Sequence, residues 1–349
     1  MESSGRTGRS RQSVYGAVLA AALFSAPAYA SNVAPVPVPS VATYEQAIRD
    51  YDAGNVSAAL LFAKAAGATG DVRAQILAGH IYRHGEAGTP NLYEAVKWYQ
   101  KAALLGDDDA MVALGEMGYN SEGGLTPADA KTWWTQAAQA GRQDAMRALA
   151  DLNIKGLGVP RNQAEGVDWL TLAADSGDAK AAKRMGDLYI DSAPQTALGY
   201  YEKAAAAGDA QAAYTAAIMY AENLSIKPNQ AVAAKLMEQA ARGGYPAAMA
   251  DYGLLIYQGL AGDGSASSAA KWFEKAARGG DDQGKFFYAY SLAKGDGASQ
   301  DFEAAYRWIL QTDKSGIPDY DKDIDTLRTG LEGKLSAQDI ARIAAEIGR

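Results

Sequence analysis

The two histidines of the chain, His80 and His84, stand four residues apart, with Glu86 close behind. On a helix that spacing puts both imidazoles on one face, where they could share a divalent cation with a carboxylate. The pattern is not the HExxH of a zinc hydrolase, and no groups that would orient such ligands are legible in the sequence. The pair is therefore read as exposed or groove-lining histidines, and no metal is assigned. Asp319, Asp321, Asp323 and Asp325 imitate the opening of a calcium loop. The sixth position, however, is Ile324 where the loop needs glycine, and the twelfth is Gly330 where it needs glutamate. A solvated helix start is the expectation there. Asp107, Asp108 and Asp109 suit the free amides and positive dipole end of a helix N-terminus. Gly295-Asp296-Gly297 follows no strand, so it reads as a turn and not as a phosphate cradle. The absence of cysteine excludes disulfides, thiol catalysis and cysteine-bound zinc. No nucleophile and base stand at a catalytic spacing, so no catalytic residue, no cofactor and no enzymatic activity are assigned.

The remaining chemistry is recognition. Twenty tyrosines exceed what a packed repeat core requires. Tyr82, Tyr189 and Tyr220 share one column of the pattern described next, and Tyr257 and Tyr290 crowd its later copies. Aromatic rings with a polar tip suit protein contact or sugar stacking, so these five are the candidate partner-binding residues.

The element that positions them is a recurring stretch, WYQKAALLGD at 98–107. It returns at 133–142, 169–178, 200–209, 236–245, 272–281 and, degraded, at 308–317, with an early copy at 62–71. The closing glycines include Gly106, Gly141, Gly177, Gly208, Gly244 and Gly280, and the period is 36 residues except for one copy of 35 and one of 31. A fixed period in the thirties marks stacked helix-turn-helix units. Eight positions before the glycine stands a large side chain, including Trp98, Trp133, Trp169, Trp272 and Trp308; this column is expected to fill the space between units. Paired small residues precede the glycine and single ones follow it at four and nine positions, which lets helix backbones approach closely. The glycine fits a left-handed helix C′ position, and the Asp that often follows it fits an N-cap.

Residues 1–30 carry Arg6, Arg9 and Arg11, an apolar run and the A-x-A site Ala28-Tyr29-Ala30, the layout of a secretory signal. The expected mature chain begins at Ser31, retains no membrane span, and lies in the periplasm or outside the cell. Residues 31–42 alternate proline with small residues and form an extended tether. Residues 43–317 hold the repeats, and 318–349 lose the pattern and form two polar capping helices. The fold expected is all-α: a right-handed α-solenoid of about eight helix-turn-helix repeats closed by a C-terminal helical cap. The formal charge is −8, and removing residues 1–30 takes away three arginines and one glutamate to leave −10. That balance argues against nucleic acid as a partner.

These columns resemble the Sel-one-like repeat family, a branch of the tetratricopeptide-like solenoids. Ala110 with Leu114-Gly115 matches the start of the family's unit, and Met185-Gly186 with Tyr189 matches a later copy. Gly156-x-Gly158-Val159 matches its loop, and Trp272, Lys275-Ala276-Ala277 and Gly280 match its end. The tyrosine column departs at Gly118, Asn153, Ile256 and Leu292. The resemblance implies an adaptor that binds another protein, and it carries over no catalytic residue. The role expected is a scaffold in an envelope assembly such as exopolysaccharide export, with polysaccharide as a further partner class. The alternatives weighed are a regulator docking on a sensor protein, and a glycan-binding or wall- or lactam-acting enzyme.

Overall fold

Each repeat boundary is built by the same backbone device. At Gly106 the chain enters φ +89°, a left-handed conformation that glycine adopts without a Cβ penalty. The Gly106 amide donates to the Ala103 carbonyl at 2.9 Å and the Asp107 amide to Ala102 at 3.2 Å. This is a Schellman closure, and the paired alanines supply the carbonyls that it satisfies. Asp107 then caps the next helix, accepting from the Ala110 amide at 2.8 Å. Asp71, Asp178, Asp209 and Asp281 repeat that cap, as the sequence pattern requires.

The computed structural model describes residues 42–222 and 227–348. The secretory signal and nearly all of the proline-rich tether lie outside the described residues. Within them the elements are eighteen helices and no strands. They run α1 (Tyr44–Asp52), α2 (Val56–Ala68), α3 (Val72–His84), α4 (Leu92–Leu104), α5 (Asp108–Tyr119), α6 (Pro127–Gln139), α7 (Gln143–Lys155), α8 (Gln163–Asp175) and α9 (Ala179–Tyr189). They continue as α10 (Pro194–Ala206), α11 (Ala210–Ala221), α12 (Gln230–Arg242), α13 (Pro246–Tyr257), α14 (Ala266–Arg278), α15 (Asp282–Lys294), α16 (Phe302–Leu310), α17 (Pro318–Glu332) and α18 (Ala337–Glu346). Within each unit most helices pack on their sequence neighbours, and a few also on the next helix but one, as α1 does on α3 and α13 on α15, which is solenoid packing. The described residues fall into two compact units that divide between Gly166 and Val167, inside α8.

The structure shifts the core column by one residue. The tryptophan column does not fill the core throughout: Trp133, Trp169, Trp272 and Trp308 are only half-buried. The fully enclosed side chain is the next one along, as in Tyr99, Trp134, Leu170, Tyr201, Met237, Phe273 and Ile309, each no more than 6% exposed. A helix turns 100° per residue, so adjacent positions cannot both point at the same neighbour. The first residue of the pair lies at the margin in the copies at Trp133, Trp169, Trp272 and Trp308, whereas Trp98 is itself buried, and in some copies the lysine three positions on covers the ring. Lys101 Nζ sits 3.8 Å from the Trp98 ring centre and Lys275 Nζ 4.3 Å from that of Trp272.

The enclosed column is matched by the residue opposite. Where the enclosed side chain is aromatic, the facing position on the preceding helix is glycine. A Cβ on Gly79 would come within 3.0 Å of Tyr99, one on Gly115 within 2.2 Å of Trp134, one on Gly186 within 2.6 Å of Tyr201, and one on Gly253 within 2.7 Å of Phe273. Where the enclosed side chain is aliphatic, as Met237 and Ile309 are, the same register holds Ala217 and Ala289, both fully buried in the same clusters. Volume is thus conserved pair by pair, as close packing demands.

The array ends in unit two on α17 and α18, which are polar apart from narrow buried faces. Ile324, Leu331 and Ile343 seal the cluster around Tyr306 and Ile309. Arg342 also pairs with Glu303 at 2.7 Å, and Arg307 with Glu346 at 2.9 Å, tying α18 to α16.

Candidate functional site

Docking α17 leaves a cleft of about 650 Å³ within unit two. Its floor is Phe273 from α14 and Phe286 and Phe287 from α15; Tyr257 from α13 and Tyr290 from α15 stand at its mouth. Leu327, Gly330 and Leu331 of α17 form the facing wall. Gly330 widens that wall, because nothing lies within 4 Å of where its Cβ would be. The two tyrosines stay 47% and 40% exposed although both rings are large and apolar. The Tyr257 hydroxyl donates to Asp296 at 2.7 Å, and that bond holds the phenol above its ordinary range, so it remains a donor. Lys294 lies 5.8 Å from the Tyr290 ring centre, and Lys334 lines the far side of the cleft. The lining holds one carboxylate, Asp323, and no histidine, so the arrangement suits capture of an apolar or aromatic group with an anionic neighbour.

Of the five tyrosines expected to bind a partner, the structure brings Tyr257 and Tyr290 together. Tyr189 is half-buried and stacks on Tyr200 with ring centres 6.1 Å apart and planes at 9°. Tyr220 donates its hydroxyl to Glu202 at 2.7 Å, which raises its pKa together with burial. In unit one Tyr82 packs against the core, with Lys64 Nζ 5.9 Å from its ring centre. These three are engaged within the repeat stack. The cleft's phenylalanines were not legible as a site. Phe286 and Phe287 lie in a helix-A segment whose copies differ, and the wall opposite comes from residues outside the repeat.

The acidic candidates are absorbed structurally. Asp109 pairs with Arg142, and Asp107 is an N-cap. Asp321 accepts from the Ser315 and Gly316 amides and Asp325 pairs with Lys314, all from the first turns of α17. A helical backbone cannot wrap an ion as a calcium loop does. Gly295 closes α15 in a left-handed conformation, confirming a turn.

His80 differs from the reading as an exposed or groove-lining residue, whereas His84 is exposed as expected. His80 is 8% exposed, while His84 and Glu86 face solvent. Burial, then the neighbouring His84, lowers the pKa of His80, and Glu86 opposes both. Ligand-capable atoms of the three side chains lie within 4.8 Å of one another.

The family model described as the Sel1 repeat matches seven consecutive segments: 72–107, 108–141, 143–178, 179–209, 210–245, 246–281 and 283–311. The chain belongs to the Sel1 repeat family. Sel1 repeat proteins generally mediate protein–protein interaction. Among solved structures, a Sel1 repeat protein from Oxalobacter formigenes is similar at 23% identity and a TM-score of 0.60, over 81% of this chain and 86% of that one. A protective antigen present in uropathogenic Escherichia coli strains is 21% identical over 86% of this chain and 82% of its own, with a TM-score of 0.45. The first likeness supports the fold. No curated protein sequence matches the chain. Among the described residues, no helix of this Sel1 repeat protein is long and apolar enough to cross a membrane.

Proposed function

We propose that this Sel1 repeat protein is an adaptor whose second unit holds a short segment of a partner protein. The segment seats an apolar or aromatic side chain over Phe273, Phe286 and Phe287 and places an acidic group against Lys294 and Lys334. The observation that carries this reading is the open cleft between α13, α15 and α17, with Tyr257 and Tyr290 exposed at its mouth. Rigid aromatic anchors that lose little entropy on binding are what such contacts use. The N-terminal signal pattern supports a setting in the periplasm or outside the cell, in an envelope assembly such as one that exports polysaccharide.

The test is a photo-crosslinking residue at position 290 in cells, with crosslinked peptides identified by mass spectrometry. One partner segment with an aromatic or large aliphatic residue beside Asp or Glu is expected. Gly330→Leu, which fills the cleft from a position with open space, should abolish that adduct and leave the fold intact. Adducts unchanged by Gly330→Leu, or none at all, would defeat the reading.

A further inference from the structure

The geometry points to a divalent transition-metal site, of zinc type, formed by His80, His84 and Glu86 at the C-terminal end of α3 in unit one. His80 and His84 are one turn apart in the last two turns of the helix, with ring centres 4.2 Å apart. Glu86 follows the left-handed Gly85 that ends the helix, and this turn brings its Oε1 to 3.2 Å from His80 Nε2. Three separate stretches of physics converge there. Helix C-terminal carbonyls favour a cation. Two imidazoles and a carboxylate are borderline-to-hard donors that zinc accepts with a fourth position left for water. The ligand-capable atoms already lie within 4.8 Å of one another, against the roughly 3.3 Å that bonds of about 2.0–2.1 Å require in a tetrahedral site. The difference is small enough for rotation of the exposed His84 and Glu86 side chains to close.

The surrounding groups are arranged as outer partners of such a site. His84 Nδ1 is 3.0 Å from the His80 carbonyl, which can only accept, so Nδ1 carries the proton and Nε2 presents its lone pair. The Tyr51 ring from α1 packs behind the group, meeting the His80 ring edge-on with ring centres 6.4 Å apart. Arg83, the nearest fixed positive charge in sequence, is turned aside by pairs with Glu116 and Glu122 at 3.0 Å each. By contrast the Asp107–Asp109 cluster has its charge met by Arg142 and its oxygens used in capping.

The experiment is titration of the full chain, without a histidine tag, with zinc chloride by calorimetry, alongside His84→Ala and Glu86→Gln. Both substitutions are at exposed positions and should fold, which circular dichroism checks. The buried His80 is left in place. One saturable ion per chain is expected, weakened at least about tenfold in each variant. Zinc should also raise the thermal midpoint of the wild type and not that of the variants. Cobalt should give the intense visible bands of a four-coordinate ion in the wild type alone. No saturable binding, or binding that both variants retain at wild-type strength, overturns the assignment. Neither result bears on the cleft in unit two.

Discussion

Gly115→Ala puts the pairing of glycine with an enclosed aromatic to a quantitative test. In an open helix interior, replacing glycine by alanine gains roughly 0.5–1 kcal/mol, because the unfolded chain has less freedom to lose. At position 115 the added Cβ would lie 2.2 Å from Cδ1 and Nε1 of Trp134 and 2.7 Å from Cε2. Carbon atoms rest at about 3.5–4.0 Å, so the indole or helix α6 must retreat by more than about 1 Å. Trp134 is 5% exposed and its ring lies 5.7 Å from that of Tyr119, so it has no free direction in which to move. Overpacking of this kind costs about 1–3 kcal/mol, with the severe clash placing it at the upper end. The net expectation is a loss of about 2 kcal/mol after the entropic gain. Thermal and urea unfolding of the single variant measure it. The decisive step is the double variant Gly115→Ala with Trp134→Leu, which recreates the alanine–aliphatic pair found at Ala289 and Ile309. A double-mutant cycle should return a favourable coupling of about 0.5–3 kcal/mol, since the methyl fills space that the smaller side chain leaves. Unchanged or increased stability of Gly115→Ala, or zero coupling, would refute the pairing argument.

Gly199→Ala in α10, where the new Cβ meets nothing within 4 Å, should stabilise by roughly 0.5–1 kcal/mol in the same unfolding assay. Leu170→Ala, at a 1% exposed position, should cost about 2–5 kcal/mol, more than Trp169→Ala at the half-buried neighbour, and the reverse order would contradict the shifted core column. Burial raises the pKa of Asp251, the acceptor of the Tyr214 hydroxyl at 3.1 Å. The folded state therefore holds a proton to higher pH than the unfolded chain, and this contribution to stability grows as pH falls through the raised value. Asp251→Asn keeps an acceptor and removes the buried charge, so it should raise the melting midpoint near about pH 7, with an advantage that shrinks toward about pH 4. A pH-independent difference in thermal unfolding would contradict that cause.

The repeat itself was legible because its determinants are local. A glycine that must adopt positive φ, an aspartate that caps the next helix and alanines that supply the closing carbonyls all act within a few residues, so they recur at a fixed spacing. The family's unit was visible for the same reason. Which of two adjacent large residues is enclosed was not. Trp272 and Phe273 differ by one helical step, and only the position of the facing helix decides which of them turns inward. The same limit applied to function. Tyr189 and Tyr290 read alike in sequence, yet one stacks on Tyr200 and the other stands at a cleft whose far wall comes from α17, outside the repeat. His80 and Glu86 were visible as neighbours in number. Their approach within hydrogen-bonding distance, and the Tyr51 ring against His80, required the left-handed turn at Gly85 and the packing of α1 on α3. Sequence by itself determined the unit, because each repeat's turns are satisfied from within. The tertiary structure alone decided the sites, because their members are brought together by helices that the periodic pattern does not relate.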